Sequence, residues 1–328
     1  MTTAAPPGST ALATAKWNVS MIPSMLDKVV IVTGSNSGIG FHTALELSRN
    51  DATVVLACRS QERAEKAIAD IKRQVSTARV EFIQLDLSSL QSVDGFVAAF
   101  KSKFDRLDVL VNNAGLMYPA ETHTKDGMEM QFAVNHLGHF YLTQKLFDVI
   151  KRTHGARIVN VSSVGHRLAR PDFSKIVTST TGKWFYFNEY SVSKLANLLF
   201  TYELDRRLRA QNMLGDVLSV AAHPGVSSTE LAPRALLGYL PRFIQMPLCK
   251  VLEVLPIFQS AAQGAIPILF AATSRSVQSG DYYGPNGFSN FWGAAPVKET
   301  SSAMSYSEEF GTRLWWISED VAKCKFTV

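Results

Sequence analysis

The stretch VVIVTGSNSGIG, residues Val29 to Gly40, decides the fold. Its first five residues are apolar or β-branched and predict a buried strand. Three glycines follow with the spacing of a strand-to-helix turn: Gly34 turns tightly, Gly38 lets the backbone approach a pyrophosphate, and Gly40 lets helix and strand pack closely. The helix that begins there would present free N–H groups and a positive dipole to an anion. The residues predicted to bind a dinucleotide phosphate are therefore Gly34, Ser35, Asn36, Ser37, Gly38, Ile39 and Gly40.

The alternation of strand and helix continues along the chain. Short Val/Ile-rich runs recur at TVVLAC (53–58), RVEFIQLDL (79–87), LDVLVNNAG (107–115) and RIVNVSS (157–163). Helical stretches are predicted near 61–75 and 91–104. Strands of this composition, separated by helices, are typical of a mostly parallel sheet buried on both faces, with right-handed crossovers. The predicted fold class is α/β: a single doubly wound (Rossmann-type) domain with flanking helices.

The composition fits a folded globular protein. The chain has 328 residues, of which 46% are hydrophobic and 19% charged, with a formal net charge of +5. No block of like charges concentrates this excess, so a nucleic-acid surface is not predicted, whereas an anionic ligand suits it. Cys58, Cys249 and Cys324 lie far apart, which argues against a disulfide framework and favours a reducing, cytoplasmic location.

The domain boundaries follow changes in composition. Residues 1–24 are predicted to form an N-terminal arm, mobile or with a short lead-in strand, and residues 25–328 a single domain. Residues 231–260 hold several prolines and many large apolar residues and are interpreted as a helical substrate lid. The aromatic run Trp184–Phe187 either lines an apolar pocket or packs its loop onto the body. YYGPNGF (282–288) and RLWWISE (313–319) are interpreted as a last strand region and a closing helix.

The end of the second strand indicates which dinucleotide is bound. A site that prefers NAD usually has an acid there, which accepts a hydrogen bond from the ribose 2′-hydroxyl. This chain has Cys58 followed by Arg59, whose guanidinium can bind a 2′-phosphate, so NADP(H) is favoured over NAD(H). The alternative is a solvated arginine that opens the next helix. Asp86, beside Leu87, is either an acceptor for the adenine amino group or a helix N-cap.

A second pattern, YSVSK, places Tyr190 and Lys194 one helical turn apart on the same face. A free phenol has a pKa near ~10 and is a poor base at neutral pH. A neighbouring ammonium, and more so a cationic nicotinamide, is expected to lower that pKa. Tyr190 is thus predicted to exchange a proton with a substrate oxygen while a cofactor carries hydride.

The order of the motifs resembles the short-chain dehydrogenase/reductase family. TGxxxGxG is followed by NNAG (112–115), Asn135, Ser163, the Tyr190–Lys194 pair and HPG (223–225), from about Lys28 to Thr229. FAVNHLGHFYLT, RIVNVSSVGHR and YSVSKLANLLF are most similar to its retinol-dehydrogenase-like branch.

The resemblance implies roles for individual residues. Tyr190 matches the catalytic tyrosine, and Lys194 the lysine that lowers its pKa and holds the nicotinamide ribose. Ser163, rather than its neighbour Ser162, matches the serine that hydrogen-bonds the substrate oxygen. Asn135 matches the asparagine that holds a water of the proton relay. The segments implied to bind the cofactor are Asn113, Ala114 and Gly115 beside it, and Pro224, Val226 and Thr229 at its nicotinamide end.

No metal site is predicted. His136, His139 and His223 lie near the motifs, but without carboxylate or cysteine partners at ligand spacing, so capping or packing explains them better.

The resulting interpretation is an NADP(H)-dependent enzyme that interconverts an alcohol and a carbonyl, with a lipophilic small-molecule substrate. One alternative is a protein that binds NADP(H) without catalysis. Another is peripheral membrane contact through residues 231–260. This segment is not predicted to span the membrane, because it is interrupted by Pro233, Arg234, Arg242 and Lys250. Pairing of two copies through helices that flank the sheet is a further expectation from the family.

Overall fold

The sheet predicted from the sequence forms the centre of the molecule. A computed structural model describes residues 17–173, 177, 185–226, 259–287 and 292–328. The strands are β1 (Val29–Thr33), β2 (Thr53–Cys58), β3 (Arg79–Gln84), β4 (Val109–Asn112), β5 (Ala156–Val161), β6 (Val217–Ala222), β7 (Tyr282–Pro285) and β8 (Pro296–Lys298). The helices are α1 (Gly38–Arg49), α2 (Gln61–Gln74), α3 (Leu90–Lys101), α4 (Gly138–Arg152), α5 (Phe185–Ala210), α6 (Ala261–Thr273) and α7 (Glu308–Val321).

The strand order is β3-β2-β1-β4-β5-β6-β7-β8. Strands β1 to β7 are parallel, and β8 pairs antiparallel with β7. The chain winds outward from β1 in one direction and, from β4 onward, in the other. This reversal confirms the doubly wound fold and opens a crevice at the carboxyl ends of β1 and β4, where such sheets bind ligands.

Two apolar clusters cover the two faces of the sheet. In β1 the side chain of Ile31 packs with helices α3, α4, α5 and α7, while Val30 and Val32 pack with α1, α2 and α6. All three side chains have no exposed surface. A strand buried on both faces needs apolar residues at every position, which explains the uninterrupted run VVIVT.

The boundaries differ from the sequence-based ones in a few places. Strand β5 ends at Val161, so Ser162 and Ser163 follow it rather than belong to it. The antiparallel β8 was not predicted, because three residues that include a proline carry no periodicity. Near the N-terminus, residues 19–21 form a 3₁₀ turn instead of a lead-in strand, and Trp17 packs edge-on against Phe270 of α6 with ring centroids 5.2 Å apart.

Other predictions fall largely outside the described residues. Of the predicted lid, 231–260, only Gln259 and Ser260 are described, and Ser260 caps α6. None of the described helices combines the length and apolar character needed to cross a bilayer.

Candidate active site

The glycine turn between β1 and α1 has the geometry that its spacing predicted. Gly34 has a φ of +66°, and a Cβ there would lie 2.9 Å from the Cα of Ala114. A Cβ on Gly40 would lie 2.5 Å from the carbonyl oxygen of Gly34 and 2.6 Å from Nδ2 of Asn113. Both positions therefore require glycine, since any side chain would push the turn away from the segment after β4.

Thr33, at the end of β1, joins this turn to the NNAG segment. Its hydroxyl oxygen accepts hydrogen bonds from the backbone N–H groups of Asn113 and Ala114, each at 2.9 Å. Asn113 also donates through Nδ2 to the Thr33 carbonyl oxygen at 2.8 Å. On its other side Thr33 lies 2.9 Å from Nε2 of the buried His139. The two motifs predicted to contact a cofactor are thus held together at the sheet's switch point.

A cleft of about 840 Å³ runs along this edge of the sheet. At one end, here called the arginine end, Arg59, Arg63 and Asp86 line it. At the other, here called the tyrosine end, Tyr190 and Lys194 line it beside Val161, Ser162 and Pro224. The turn residues Gly34, Asn36, Ser37, Gly38, Ile39 and Gly40 and the segment Asn113–Gly115 line its middle.

The arginine end is built by loops after β2 and β3. Arg59 is exposed and follows Cys58, which is buried. Arg63, also exposed, lies in the first turn of α2, where its backbone N–H bonds to the capping hydroxyl of Ser60. Arg63 was not predicted from the sequence, although its spacing of four from Arg59 could have indicated it. Two guanidinium groups therefore border the cleft where the second strand ends.

Asp86 also lines the arginine end, beside Leu87. Its Oδ1 accepts hydrogen bonds from the backbone N–H and the hydroxyl of Ser88, at 3.0 and 2.7 Å. The N-cap alternative was wrong, because Ser89 caps helix α3. A local turn that satisfies Oδ1 explains the aspartate without any role at the helix terminus.

At the tyrosine end, Tyr190 and Lys194 lie on α5 as the i, i+4 spacing predicted. Ser163 Oγ accepts a hydrogen bond from the backbone N–H of Gly165 at 3.1 Å and lies close enough to the Tyr190 phenol to affect its pKa. A Cβ on Gly165 would lie 3.4 Å from Ser163 Oγ and 3.6 Å from Cε1 of Tyr190. The lysine Nζ donates to the carbonyl oxygen of Val161 at 3.1 Å and lies 5.9 Å from the Tyr190 ring centroid. The structure therefore brings these three side chains together.

Burial shifts the pKa values of both ionisable groups. It lowers the pKa of Lys194 to about 8, because a buried ammonium loses its hydration. It also raises the pKa of Tyr190, while the hydrogen bond with Ser163, which favours the phenolate, acts in the opposite direction. The direction for Tyr190 is opposite to the one expected from the ammonium alone. The physical reason is that the buried phenolate is poorly solvated, while the Lys194 amine is engaged in a hydrogen bond with the Val161 carbonyl oxygen.

Asn135 lies in a π-helical turn, Ala133–Leu137, that precedes α4. Its amide exchanges two hydrogen bonds with the backbone of Leu116, at 2.8 and 3.0 Å, and donates to Ser193 Oγ at 2.9 Å. It is buried and does not line the cleft. Its Oδ1 and Nζ of Lys194 both approach Gly115, where a Cβ would lie 3.5 and 3.2 Å from them. Asn135 thus lies near the tyrosine end, next to Gly115, without lining the cleft.

The remaining predicted residues lie at varied distances from the cleft. Ser35 is buried and donates to the Val32 carbonyl oxygen at 2.8 Å, so its side chain is directed into the core. Ser162 donates to the carbonyl oxygen of Lys194 at 2.8 Å and ties β5 to α5. Val226 is described but does not line the cleft, and Thr229 lies outside the described residues. Of the aromatic run, Phe187 does not line it either.

The histidines near these motifs are engaged in hydrogen bonds. His136 lies 3.0 Å from Ser318 Oγ, and Nδ1 of His139 donates to the Asn135 carbonyl oxygen at 3.1 Å. Burial lowers the pKa of each to about 3, so both rings are neutral. Within the described part of the chain, no group of three potential ligands could hold a metal ion.

Comparison with known proteins identifies the family of this site. The model of the short chain dehydrogenase family matches residues 28–236. The chain belongs to the short-chain dehydrogenase/reductase family. Human retinol dehydrogenase 13 is 45% identical over 204 residues, which are 62% of this chain and 60% of that protein. The human WW domain-containing oxidoreductase is 39% identical over 300 residues, 89% of this chain and 67% of that protein.

A solved structure of a putative uncharacterized protein from Mycobacterium paratuberculosis is 33% identical, with a TM-score of 0.75, and covers 95% of this chain and 99% of that one. Mouse retinol dehydrogenases 12 and 14 are similar as well. The resemblance to an oxidoreductase family, and to its retinol-dehydrogenase-like branch, is thereby confirmed.

Proposed function

We propose that this chain is an NADP(H)-dependent oxidoreductase that interconverts an alcohol and a carbonyl on a lipophilic substrate. The observation that carries the proposal is the tyrosine end, where the phenol of Tyr190, the hydroxyl of Ser163 and the amine of Lys194 converge beside the glycine-rich cleft. Tyrosine and serine hydroxyl groups there can both hydrogen-bond one substrate oxygen.

The residues along the cleft fit a dinucleotide. A Cβ on Gly34 would collide with Ala114, and one on Gly40 with Gly34 and Asn113, so only glycine keeps this turn packed in the form that a phosphate-binding turn needs. The start of α1 presents unpaired N–H groups at this turn. The nicotinamide, when bound, supplies or accepts the hydride.

The chemistry assigned to the chain's own residues is a proton transfer. In reduction, the Tyr190 O–H donates its proton to the carbonyl oxygen as negative charge develops there. The Ser163 hydroxyl donates a second hydrogen bond to that oxygen and orients it. The Lys194 ammonium stabilises the phenolate that remains, and Asn135 holds a water of the relay that restores the proton. Oxidation of the alcohol uses the same groups in reverse.

The preference for NADP(H) is proposed from the arginine end. A 2′-phosphate would meet two exposed guanidinium groups, Arg59 and Arg63, and no carboxylate at the end of β2, where Cys58 is buried. Guanidinium groups bind phosphate with paired, charge-assisted hydrogen bonds. Asp86 is proposed to accept from the adenine amino group through its Oδ2.

The lipophilic substrate is proposed from the apolar part of the cleft wall. Its residues are Met117, Pro119, Ala120, Met130 and Val134, which contribute apolar surface to the cleft. Apolar pockets with a few convergent polar groups are typical of binding sites for apolar ligands. Relatives named retinol dehydrogenases favour the same substrate class. Residues 231–260 are proposed to close this wall as a lid of the one domain, 25–328.

The test is turnover by the purified chain. NADPH oxidation is followed by absorbance with all-trans-retinal, nonanal, a ketone and a quinone, and repeated with NADH. We expect at least one carbonyl to be reduced, with a higher kcat/KM for NADPH than for NADH. Binding of NADPH without turnover of any substrate would instead support the non-catalytic alternative. No binding of either nucleotide would refute both.

A further inference from the structure

The segment Glu299–Ser302 lies behind the tyrosine end, although it is outside the matched region, 28–236. It follows β8 directly, and the Glu299 backbone N–H bonds to the Tyr282 carbonyl oxygen at 2.8 Å. Each end of the segment contacts a buried histidine: Glu299 contacts His223, and Ser302 contacts His166. His223 directly precedes Pro224, and His166 follows Ser163 by three residues.

His223 makes two hydrogen bonds, one as a donor and one as an acceptor. Its Nε2 lies 2.7 Å from Glu299 Oε1, and its Nδ1 accepts from the backbone N–H of Gly225 at 3.1 Å. The two side chains are 0% and 4% exposed. A carboxylate only accepts, so Nε2 must carry the proton, which leaves the lone pair on Nδ1 free to accept from Gly225.

This tautomer fixes the turn after β6. Gly225 has a φ of +66°, and its neighbour Pro224 lines the cleft beside Tyr190 and Lys194. With the other tautomer, an N–H on Nδ1 would face the Gly225 N–H, and the two donors would repel. The carboxylate of Glu299 therefore sets the position of the proton on the His223 ring. This ring in turn bonds to Gly225, in the turn that borders the tyrosine end.

His166 makes the corresponding connection on the other side. Its Nδ1 donates to the Ser163 carbonyl oxygen at 2.6 Å, and its Nε2 accepts from the Ser302 backbone N–H at 3.1 Å. Burial lowers the pKa of His166 to about 4, so the ring is neutral, as this pattern requires. The Tyr282 ring lies near both histidines, with centroids 5.8 Å from His166 and 5.2 Å from His223.

Gly284 supports a specific fit between these groups. A Cβ on Gly284, in β7, would overlap both Glu299 Oε1 and the His223 ring. Arg167 donates to the Thr300 carbonyl oxygen at 2.6 Å and further anchors the segment.

We propose that Glu299 is a positioning residue for the reaction: by fixing the tautomer of His223, it holds the Pro224–Val226 turn at the tyrosine end. The Ser302 backbone N–H fixes the tautomer of His166 in the same manner, and Nδ1 of His166 then holds the Ser163 carbonyl oxygen. This inference rests on the proposed function.

The test compares Glu299→Gln, which keeps an acceptor oxygen, with Glu299→Met, which has similar length and no acceptor. Nitrogen-15 NMR of labelled histidine reports the tautomer, with the His223 signals assigned by their loss in His223→Asn. In the wild type we expect a proton on Nε2 and none on Nδ1. Glu299→Gln should keep this tautomer and a kcat/KM for NADPH within about twofold of the wild type.

Glu299→Met should show mixed tautomers and a kcat/KM for NADPH about tenfold lower with nonanal or retinal. Glu309→Met, which removes an exposed carboxylate at the start of α7, is the matched control and should change neither. A single unchanged tautomer or wild-type kcat/KM in Glu299→Met overturns the proposal, and so does an equal loss in both Glu299 variants. If Glu299→Met does not fold, a wild-type spectrum with the proton on Nδ1 of His223 overturns it.

The same measurements distinguish failure of the proposed function from failure of the positioning role. A wild-type chain that reduces no carbonyl ends the positioning role together with the proposed reaction. In that case the NMR spectrum still reports whether Glu299 sets the tautomer.

Discussion

The arginine end and the tyrosine end of the cleft differ most in their exposure to water. Arg59 and Arg63 are exposed, whereas Lys194 is buried, with 3% of its surface exposed. Exposed charges keep their hydration and act on a ligand through screened attraction. Buried groups lose hydration, which lowers the pKa of Lys194 and raises that of Tyr190. In the proposed function one end selects the cofactor and the other supplies the chemistry, and each of the following experiments tests that division.

The largest effect is expected for Tyr190→Phe, which removes the proposed proton donor and keeps the ring. Turnover should fall by about 10²- to 10⁴-fold, the range that general acid–base catalysis contributes. The dissociation constant for NADPH, measured by fluorescence, should change by less than about twofold, since the arginine end is untouched.

Tyr141→Phe is the matched control, because its hydroxyl bonds to Asp94 at 3.0 Å on the flank of α4, away from the cleft. It should leave turnover unchanged. Appreciable turnover in Tyr190→Phe would remove this residue from the mechanism and end the assignment of chemistry to the tyrosine end.

The next effect is expected at the opposite end, with Arg59→Asp. A carboxylate repels a 2′-phosphate and can accept from a ribose 2′-hydroxyl, so the ratio of kcat/KM for NADPH to that for NADH should fall by about tenfold or more. Lys66→Asp, an equally exposed change on α2 outside the cleft lining, should leave the ratio unaltered. An unchanged ratio of the two kcat/KM values in Arg59→Asp would argue that the arginine end does not recognise the 2′-phosphate.

The sequence predicted the parts of this site that depend on local spacing. The glycine turn at Gly34–Gly40 and the helical pair Tyr190–Lys194 each lie within one element or one turn, so periodicity and residue type suffice. The mostly parallel, doubly wound sheet followed from the alternation of strands and helices.

Contacts between distant segments left no such signal. Glu299 pairs with His223 across 76 residues, and β8, which positions it, is only three residues long. The direction of the Tyr190 pKa shift was also unpredictable, because it depends on burial and on where the Lys194 amine is directed. Such quantities arise from the tertiary packing rather than from spacing along the chain.

A third prediction concerns the pH profile of reduction. Because burial lowers the pKa of Lys194 to about 8, its ammonium is lost as the pH rises through that value. The phenol of Tyr190 stays protonated there, since its pKa is raised. The kcat/KM of reduction should therefore fall above about pH 8, and this limb belongs to Lys194 and not to Tyr190.

Lys194→Arg tests that assignment, because a guanidinium keeps its proton at all these pH values. Whatever its absolute rate, the falling limb should move to higher pH or disappear. Lys66→Arg is the control and should keep the limb of the wild type. A limb that stays near pH 8 in Lys194→Arg would assign it to another group and contradict the role of burial at the tyrosine end.

The smallest effect is expected from salt, and it separates the two ends without any substitution. Raising the ionic strength from about 0.02 M to about 0.3 M shortens the screening length from roughly 20 Å to below about 10 Å. The KM for NADPH should then rise a few-fold, because the exposed guanidinium groups lose attraction for the phosphate. The kcat should stay constant, because the buried groups are shielded from ions. The KM of Arg59→Asp should respond less to salt than that of the wild type. If kcat falls with salt as steeply as KM rises, the chemistry depends on exposed charges, and the division between a selective and a reactive end does not hold.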